Sequence, residues 1–127
     1  MGVRKATVLA AAVIMAAPAL AQSGWRAIGH AQAAPGAASV TISAREDGPY
    51  REFIICLDGG PARLTDATVH YRDNRVQTYR LRSRLGDGSC SRAATLSGRD
   101  HGIASLEVGY DPASLQGAGP RLELSVR

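Results

Sequence analysis

Residues 78–92 read TYRLRSRLGDGSCSR, and the first half of this stretch decides the fold class. Arg80, Arg82 and Arg84, here called the arginine strip, occupy every second position, and the alternate positions include Tyr79, Leu81 and Leu85. Side chains of a β-strand point alternately to its two faces, so this pattern predicts a strand with the arginines on the solvent face. The Gly86-Asp87-Gly88 turn ends that strand.

The same alternation recurs along the chain, between turn signals that arrive every several residues. It predicts about eight or nine short strands and no helix, with strands at residues 39–44, 50–57, 62–71, 77–85, 90–96, 103–110 and 121–127. Residues 50–57 are apolar at both odd and even positions, which is typical of a strand buried on both faces. Leu64 and Val69 break the period of two, which predicts a β-bulge near residues 65–67. We therefore predict an all-β fold, either one small antiparallel β-sandwich or a barrel-like domain.

The first 21 residues have the composition of a secretory signal peptide. Arg4 and Lys5 precede an alanine-rich apolar run, and Ala19-Leu20-Ala21 matches a small-residue cleavage site. The apolar run is shorter than the roughly 18 residues that a membrane-spanning helix requires. We predict a cleaved signal at residues 1–21, a β-sandwich domain without a transmembrane segment at residues 22–127, and a periplasmic or secreted location.

The charge balance and the histidine positions argue against several classes of function. Removal of the signal with Arg4 and Lys5 leaves 13 basic against 11 acidic residues, a net charge of +2. So small an excess gives no reason to expect nucleic acid as a partner. His30, His70 and His101 are far apart and none belongs to a metal-binding motif, so we expect neither a metal nor another cofactor.

The exported domain keeps two cysteines, Cys56 and Cys90, with 33 residues between them. An even pair in an oxidising compartment predicts a disulfide rather than free thiols or a thiolate nucleophile. The chain-entropy model gives a loop of this length about 3–4 kcal/mol of stabilisation. The strand of Cys56 and the strand that follows the arginine strip are therefore expected to be neighbours.

Three groups of residues form recognisable strand-and-turn motifs. Residues 24–29 (GWRAIG) resemble an opening W-x-x-L-G strand, in which we expect Trp25 to anchor the strand on the core. Residues 69–71 (VHY), ahead of Asp73-Asn74, resemble a V-x-Y-x-N-G hairpin. Ser91-Arg92, residues 96–98 (LSG), Ile103 and Tyr110 resemble S-R-x-x-D-L-x-G-x-x-R-x-I followed by a strand that ends in tyrosine.

From about residue 24 to residue 110, the chain thereby resembles a family of small exported bacterial β-domains that has no assigned function. Two positions depart from the family pattern, because Thr95 replaces an acidic residue and His101 replaces an arginine. The resemblance implies a β-sandwich and an envelope location. It implies no reaction.

The arginine strip, extended by Arg92, is the candidate anion-binding surface. Guanidinium groups bind carboxylates and phosphates through paired hydrogen bonds. The same pattern is also typical of a solvated strand that resists edge-to-edge association. We predict a non-enzymatic, envelope-associated binding or structural module whose partner, not identified by the sequence, is an acidic envelope component or another protein.

Two alternatives remain open. A small hydrolase would use Asp100 and His101 at one end of the sandwich, but neighbours in a strand point to opposite faces and no nucleophile motif accompanies them, so we expect no catalytic residue. An oligomerising assembly subunit would use the regular strand at residues 121–127 to extend the sheet of another chain.

Overall fold

The computed structural model describes residues 24–45, 48–97 and 102–127, and the predicted signal peptide at residues 1–21 lies outside these ranges. The described residues are all-β, as predicted, with eight strands and one turn of 3-10 helix, Pro112–Ser114. In chain order the strands are β1 (Arg26–Gln32), β2 (Ser39–Ser43), β3 (Glu52–Asp58), β4 (Ala62–Tyr71), β5 (Val76–Leu85), β6 (Ala94–Thr95), β7 (Ile103–Tyr110) and β8 (Arg121–Val126).

The strands form two four-stranded antiparallel sheets, with the orders β1-β8-β3-β6 and β2-β7-β4-β5. The described strands therefore form a sandwich rather than a closed barrel. β8 lies between β1 and β3 and is hydrogen-bonded on both sides. The alternative in which residues 121–127 extend the sheet of another chain is wrong for this strand, because both of its edges are already paired.

The core lies between the sheets and is built mainly from aliphatic side chains, with Phe53, Tyr71 and Tyr110 as its aromatic members. Its largest fully buried members are Ile28, Ile42, Phe53, Ile55, Leu64, Val69, Leu96, Leu106, Val108, Leu122, Leu124 and Val126. Burying each such side chain contributes about 1.5–3 kcal/mol relative to exposure, which drives the two sheets together. β3 is buried on both faces, as predicted, since Ile54 and Cys56 are also shielded from solvent.

The disulfide joins β3 to a bridge residue that pairs with it in the first sheet. Cys56 of β3 is bonded to Cys90, and their Cα atoms are 3.9 Å apart because the two residues face each other in an antiparallel bridge. The pairing and the neighbouring strands are as predicted. The expected strand at residues 90–96 is interrupted, however, and only the bridge at Cys90 and the two residues of β6 pair with β3.

A polar cluster closes the sandwich where β5 approaches β6. The amide oxygen of Gln77 lies 2.9 Å from the Tyr71 hydroxyl, 2.6 Å from the Tyr79 hydroxyl and 2.7 Å from Ser97 Oγ. The Tyr79 hydroxyl is also 2.8 Å from the carbonyl oxygen of Thr95 on the opposite sheet. Burial is the main cause that raises the pKa of the Tyr79 hydroxyl above its ordinary value, and the side-chain hydrogen bond with Tyr71 raises it further.

Trp25, just before β1, and Arg127, the last residue, are in contact beside the start of β3. The guanidinium carbon of Arg127 lies 4.4 Å from the centre of the Trp25 ring, and Arg127 Nε donates to Glu52 Oε1 at 2.8 Å. Trp25 is half-buried and lies outside the core cluster. It therefore anchors the start of β1 through a cation–π contact rather than by packing into the core as expected.

Candidate functional site

The arginine strip lies on the outer face of β5, at the edge of the second sheet. Exposure alternates along all ten residues of β5, and Arg80, Arg82 and Arg84 lie on its exposed face, as the period of two predicts. Within residues 24–45, 48–97 and 102–127, none of the three guanidiniums has a carboxylate oxygen within 4.0 Å. Their hydrogen-bond donors therefore face solvent.

A β-bulge interrupts the strip at Arg82. Leu64 pairs with Ser83 and Asp66 pairs with Arg80, so the single residue Thr65 faces two residues of β5. Arg82 adopts a φ of 43°, in the left-handed region that costs an L-residue about 1–2 kcal/mol. On the other side of β4, Leu64 and Asp66 pair with successive residues of β7, so Thr65 has no partner there. The irregularity of β4 therefore lies at Thr65, within the range that the spacing of Leu64 and Val69 predicted.

A groove of about 650 Å³ runs across the outer face of β4 and β5 beside this bulge. Its lining carries three arginines, two aspartates and a threonine hydroxyl, and we call it the arginine groove. The lining residues are Arg63, Leu64, Thr65, Asp66, Arg80, Arg82 and Asp111. Arg63 shares with Arg80 and Arg82 the absence of any ion-pair partner among the described residues.

Arg63 and Asp111 are held at the groove by the loop that follows β7. The backbone of Arg63 donates to Ser114 Oγ at 2.9 Å and accepts from the backbone N–H of Asp111 at 3.0 Å. Asp111 Oδ1 in turn accepts from the N–H of Ala113 at 3.0 Å and caps the 3-10 turn. This loop therefore extends the sheet past the end of β7 and fixes one wall of the groove.

Asp66 leans away from the arginine that faces it across the strands. Although Asp66 and Arg80 are register partners, a Cβ atom on Gly109 would overlap Asp66 Oδ1 and lie 2.8 Å from Thr65 Oγ1. The carboxylate thus occupies the space above Gly109 on β7, which only a residue without a side chain leaves open. This placement explains why Asp66 does not neutralise Arg80.

The other two arginines of the predicted set lie apart from the groove. Arg84 lines a neighbouring hollow of about 310 Å³ formed with Pro61, Ala62, Ala113, Ser114 and Gln116. Arg92 is exposed beside the Cys90 bridge of the first sheet and does not line the groove. Arg63 was not predicted from the sequence, because an exposed arginine in β4 is not distinctive by itself. It lies beside the strip because it pairs with Arg84 of β5, and the sequence does not show which residues of the two strands pair.

Three other features would indicate a different function: a metal site, a membrane-spanning helix and the Asp100–His101 pair. Among them, no three His, Cys, Asp or Glu side chains are grouped closely enough to hold a metal ion. No helix among them is long and apolar enough to cross a membrane. Asp100 and His101, the pair of the hydrolase alternative, lie outside the described residues.

These features define a class of protein: a small antiparallel β-sandwich with one disulfide inside a sheet and a charged groove on its outer face. The family model described as Domain of unknown function (DUF2541) matches residues 7–124, and the chain belongs to this family. The resemblance to a β-domain family without an assigned function is thereby confirmed. No curated protein matches the chain. No solved structure matches it.

Proposed function

We propose that the protein is an exported, non-enzymatic binding module of the cell envelope and that the arginine groove binds an anionic ligand. The observation that carries this proposal is the convergence of three arginines without ion-pair partners, Arg63, Arg80 and Arg82, on one groove. Two of the three come from the strip, and the third comes from the adjacent strand.

The physical argument for binding is that these guanidiniums have no carboxylate partner among the described residues. An exposed arginine that already has a carboxylate partner gains little from a second anion, because part of its charge is compensated. The three groove arginines keep all their donors for a ligand, and a planar guanidinium binds a carboxylate or phosphate through two parallel hydrogen bonds. Because the groove is open to solvent, binding should weaken as salt concentration rises.

Export is the second part of the proposal and is supported by two independent features. Residues 1–21 have the n-region, apolar run and cleavage site of a secretory signal, and the Cys56–Cys90 disulfide is of the kind that forms in an oxidising compartment. Mass spectrometry of the protein from a periplasmic or secreted fraction tests it. We expect a chain that starts at Gln22 with both cysteines resistant to alkylation. An intact Met1 together with two alkylated thiols would contradict export.

The binding proposal is tested by heparin chromatography of a double variant, Arg63→Ala with Arg80→Ala. Two exposed charge contacts are lost, so we expect about a three- to tenfold loss of affinity and earlier elution in a salt gradient. The matched control is Arg45→Ala with Arg51→Ala, which removes the same charge from two exposed arginines outside the groove. The control should elute close to the wild type. Equal shifts for both variants would show a net-charge effect and refute a specific groove.

A further inference from the structure

We infer that the ligand of the arginine groove is an acidic saccharide, a chain that carries carboxylate or phosphate groups together with free hydroxyls. This inference rests on the proposed function of the groove. Its starting point is the pair of carboxylates, Asp66 and Asp111, that share the lining with the three arginines without forming an ion pair with them.

The two carboxylates have spare acceptor capacity. The Asp66 side chain lies over Gly109, which has no side chain to offer it a donor. Asp66 has no hydrogen-bond partner among the described residues. Asp111 uses Oδ1 to cap the turn at Ala113, and its Oδ2 has no described partner. A carboxylate oxygen accepts hydrogen bonds and cannot donate them when ionised, so each of these oxygens suits a hydroxyl donor.

The arginines have the opposite requirement. A guanidinium donates hydrogen bonds and accepts none, so Arg63, Arg80 and Arg82 suit anionic oxygens. A ligand that satisfies both halves of the groove carries anionic acceptors for the arginines and, beside them, hydrogen-bond donors for the two aspartates. An acidic sugar carries both on a single ring, a carboxylate or phosphate and free hydroxyls, and the Thr65 hydroxyl can donate to it or accept from it.

A bare polyanion fits the same surface less well. A polyphosphate chain brings negative charge and acceptors but almost no donors, and the two aspartates would repel it at short range. A neutral saccharide would leave the positive charge of the arginines uncompensated. The volume of about 650 Å³ lies within the range of about 300–1,000 Å³ that small-ligand sites occupy, so the groove has room for a short oligosaccharide segment.

The experiment compares two probes of equal charge, oligogalacturonate and linear polyphosphate, by isothermal titration on the disulfide-bonded protein. The diagnostic variant is Asp66→Asn, which preserves size and removes one negative charge at an exposed position. We expect it to weaken oligogalacturonate binding about three- to tenfold, because a charge-assisted hydrogen bond is lost. We expect it to strengthen polyphosphate binding about two- to fivefold, because a repelling charge is removed.

The matched control is Asp58→Asn, which removes an exposed carboxylate from the first sheet, outside the groove lining. It should leave oligogalacturonate binding unchanged. If Asp66→Asn strengthens the binding of both probes, or changes neither, the groove binds anions without reading hydroxyls and the saccharide inference is overturned while the proposed function stands. If the wild type binds neither probe, the proposed function fails and the inference fails with it.

Discussion

The left-handed backbone at Arg82 allows the effect of a substitution on stability to be measured apart from its effect on anion binding. We expect Arg82→Gly to be more stable than Arg82→Ala, although both lose the same guanidinium. At a φ of 43° an L-residue carries a strain of about 1–2 kcal/mol that glycine avoids, while glycine loses about 0.5–1 kcal/mol more conformational freedom on folding. With central values of about 1.5 and about 0.75 kcal/mol, the difference favours the glycine variant by about 0.7 kcal/mol.

Nothing else at this position should obscure that difference. The Arg82 side chain is exposed and has no ion-pair partner among the described residues, so its removal alone changes stability little. Urea unfolding followed by the fluorescence of Trp25, the single tryptophan, measures it directly. With a denaturant slope of about 1.5 kcal/mol per molar, the glycine midpoint should lie about 0.3–0.7 M higher than the alanine midpoint.

Arg84 supplies the matched control, because it lies two positions further along β5 with an ordinary negative φ. There the order should reverse, with Arg84→Gly less stable than Arg84→Ala by about 0.5–1 kcal/mol. Both Arg82 variants should also leave heparin earlier than the wild type and by the same amount. A glycine variant at position 82 that is no more stable than the alanine variant would refute the bulge and the register built on it.

Three further predictions concern the scaffold. Replacing Cys56 and Cys90 together with alanine should cost about 3–4 kcal/mol in urea unfolding, because the cross-link closes a loop of 34 positions in the denatured chain; a loss below about 1 kcal/mol would contradict this. Phe53→Ala should lower the unfolding free energy by about 3–5 kcal/mol by calorimetry, since its ring is 1 % exposed and meets the Tyr79 ring edge-on at 5.1 Å; a near-neutral result would mean that the sheets do not meet there. Because the folded-state pKa of Tyr79 is raised, the stability that its neutral hydroxyl contributes is full below the unfolded value near 10 and falls as pH rises toward the folded value. As the pH rises above 10, the free energy of unfolding of Tyr79→Phe should therefore fall less than that of the wild type. If the two proteins lose stability in parallel with pH, the raised pKa of Tyr79 is contradicted.

Several features of the site followed from local sequence pattern. The period of two placed Arg80, Arg82 and Arg84 on one exposed face, since side-chain direction along a strand depends on the backbone of that strand alone. The broken spacing between Leu64 and Val69 located the bulge for the same reason. Each of these results depends on residues within a few positions of one another.

The groove itself depended on pairings between distant parts of the chain. Arg63 reaches it because β4 pairs with β5, and Asp111 reaches it because β7 pairs with β4 on the other side. Asp66 is withheld from Arg80 by Gly109, which is 43 positions away in the chain. No local pattern encodes which strands become neighbours, so sequence reasoning grouped Arg92 with the strip and overlooked Arg63.

From the sequence alone it follows that the chain forms strands, which faces of them are polar, and that the two cysteines are a candidate pair. Side-chain alternation and cysteine count are sufficient for that, because alternation reflects the short-range geometry of the backbone and an even number of cysteines allows complete pairing. That β8 lies inside its sheet, and that three arginines and two aspartates meet on one groove, became known from the folded chain. The physical reason is that strand order and register are set by the burial of the whole core, to which every strand contributes at once.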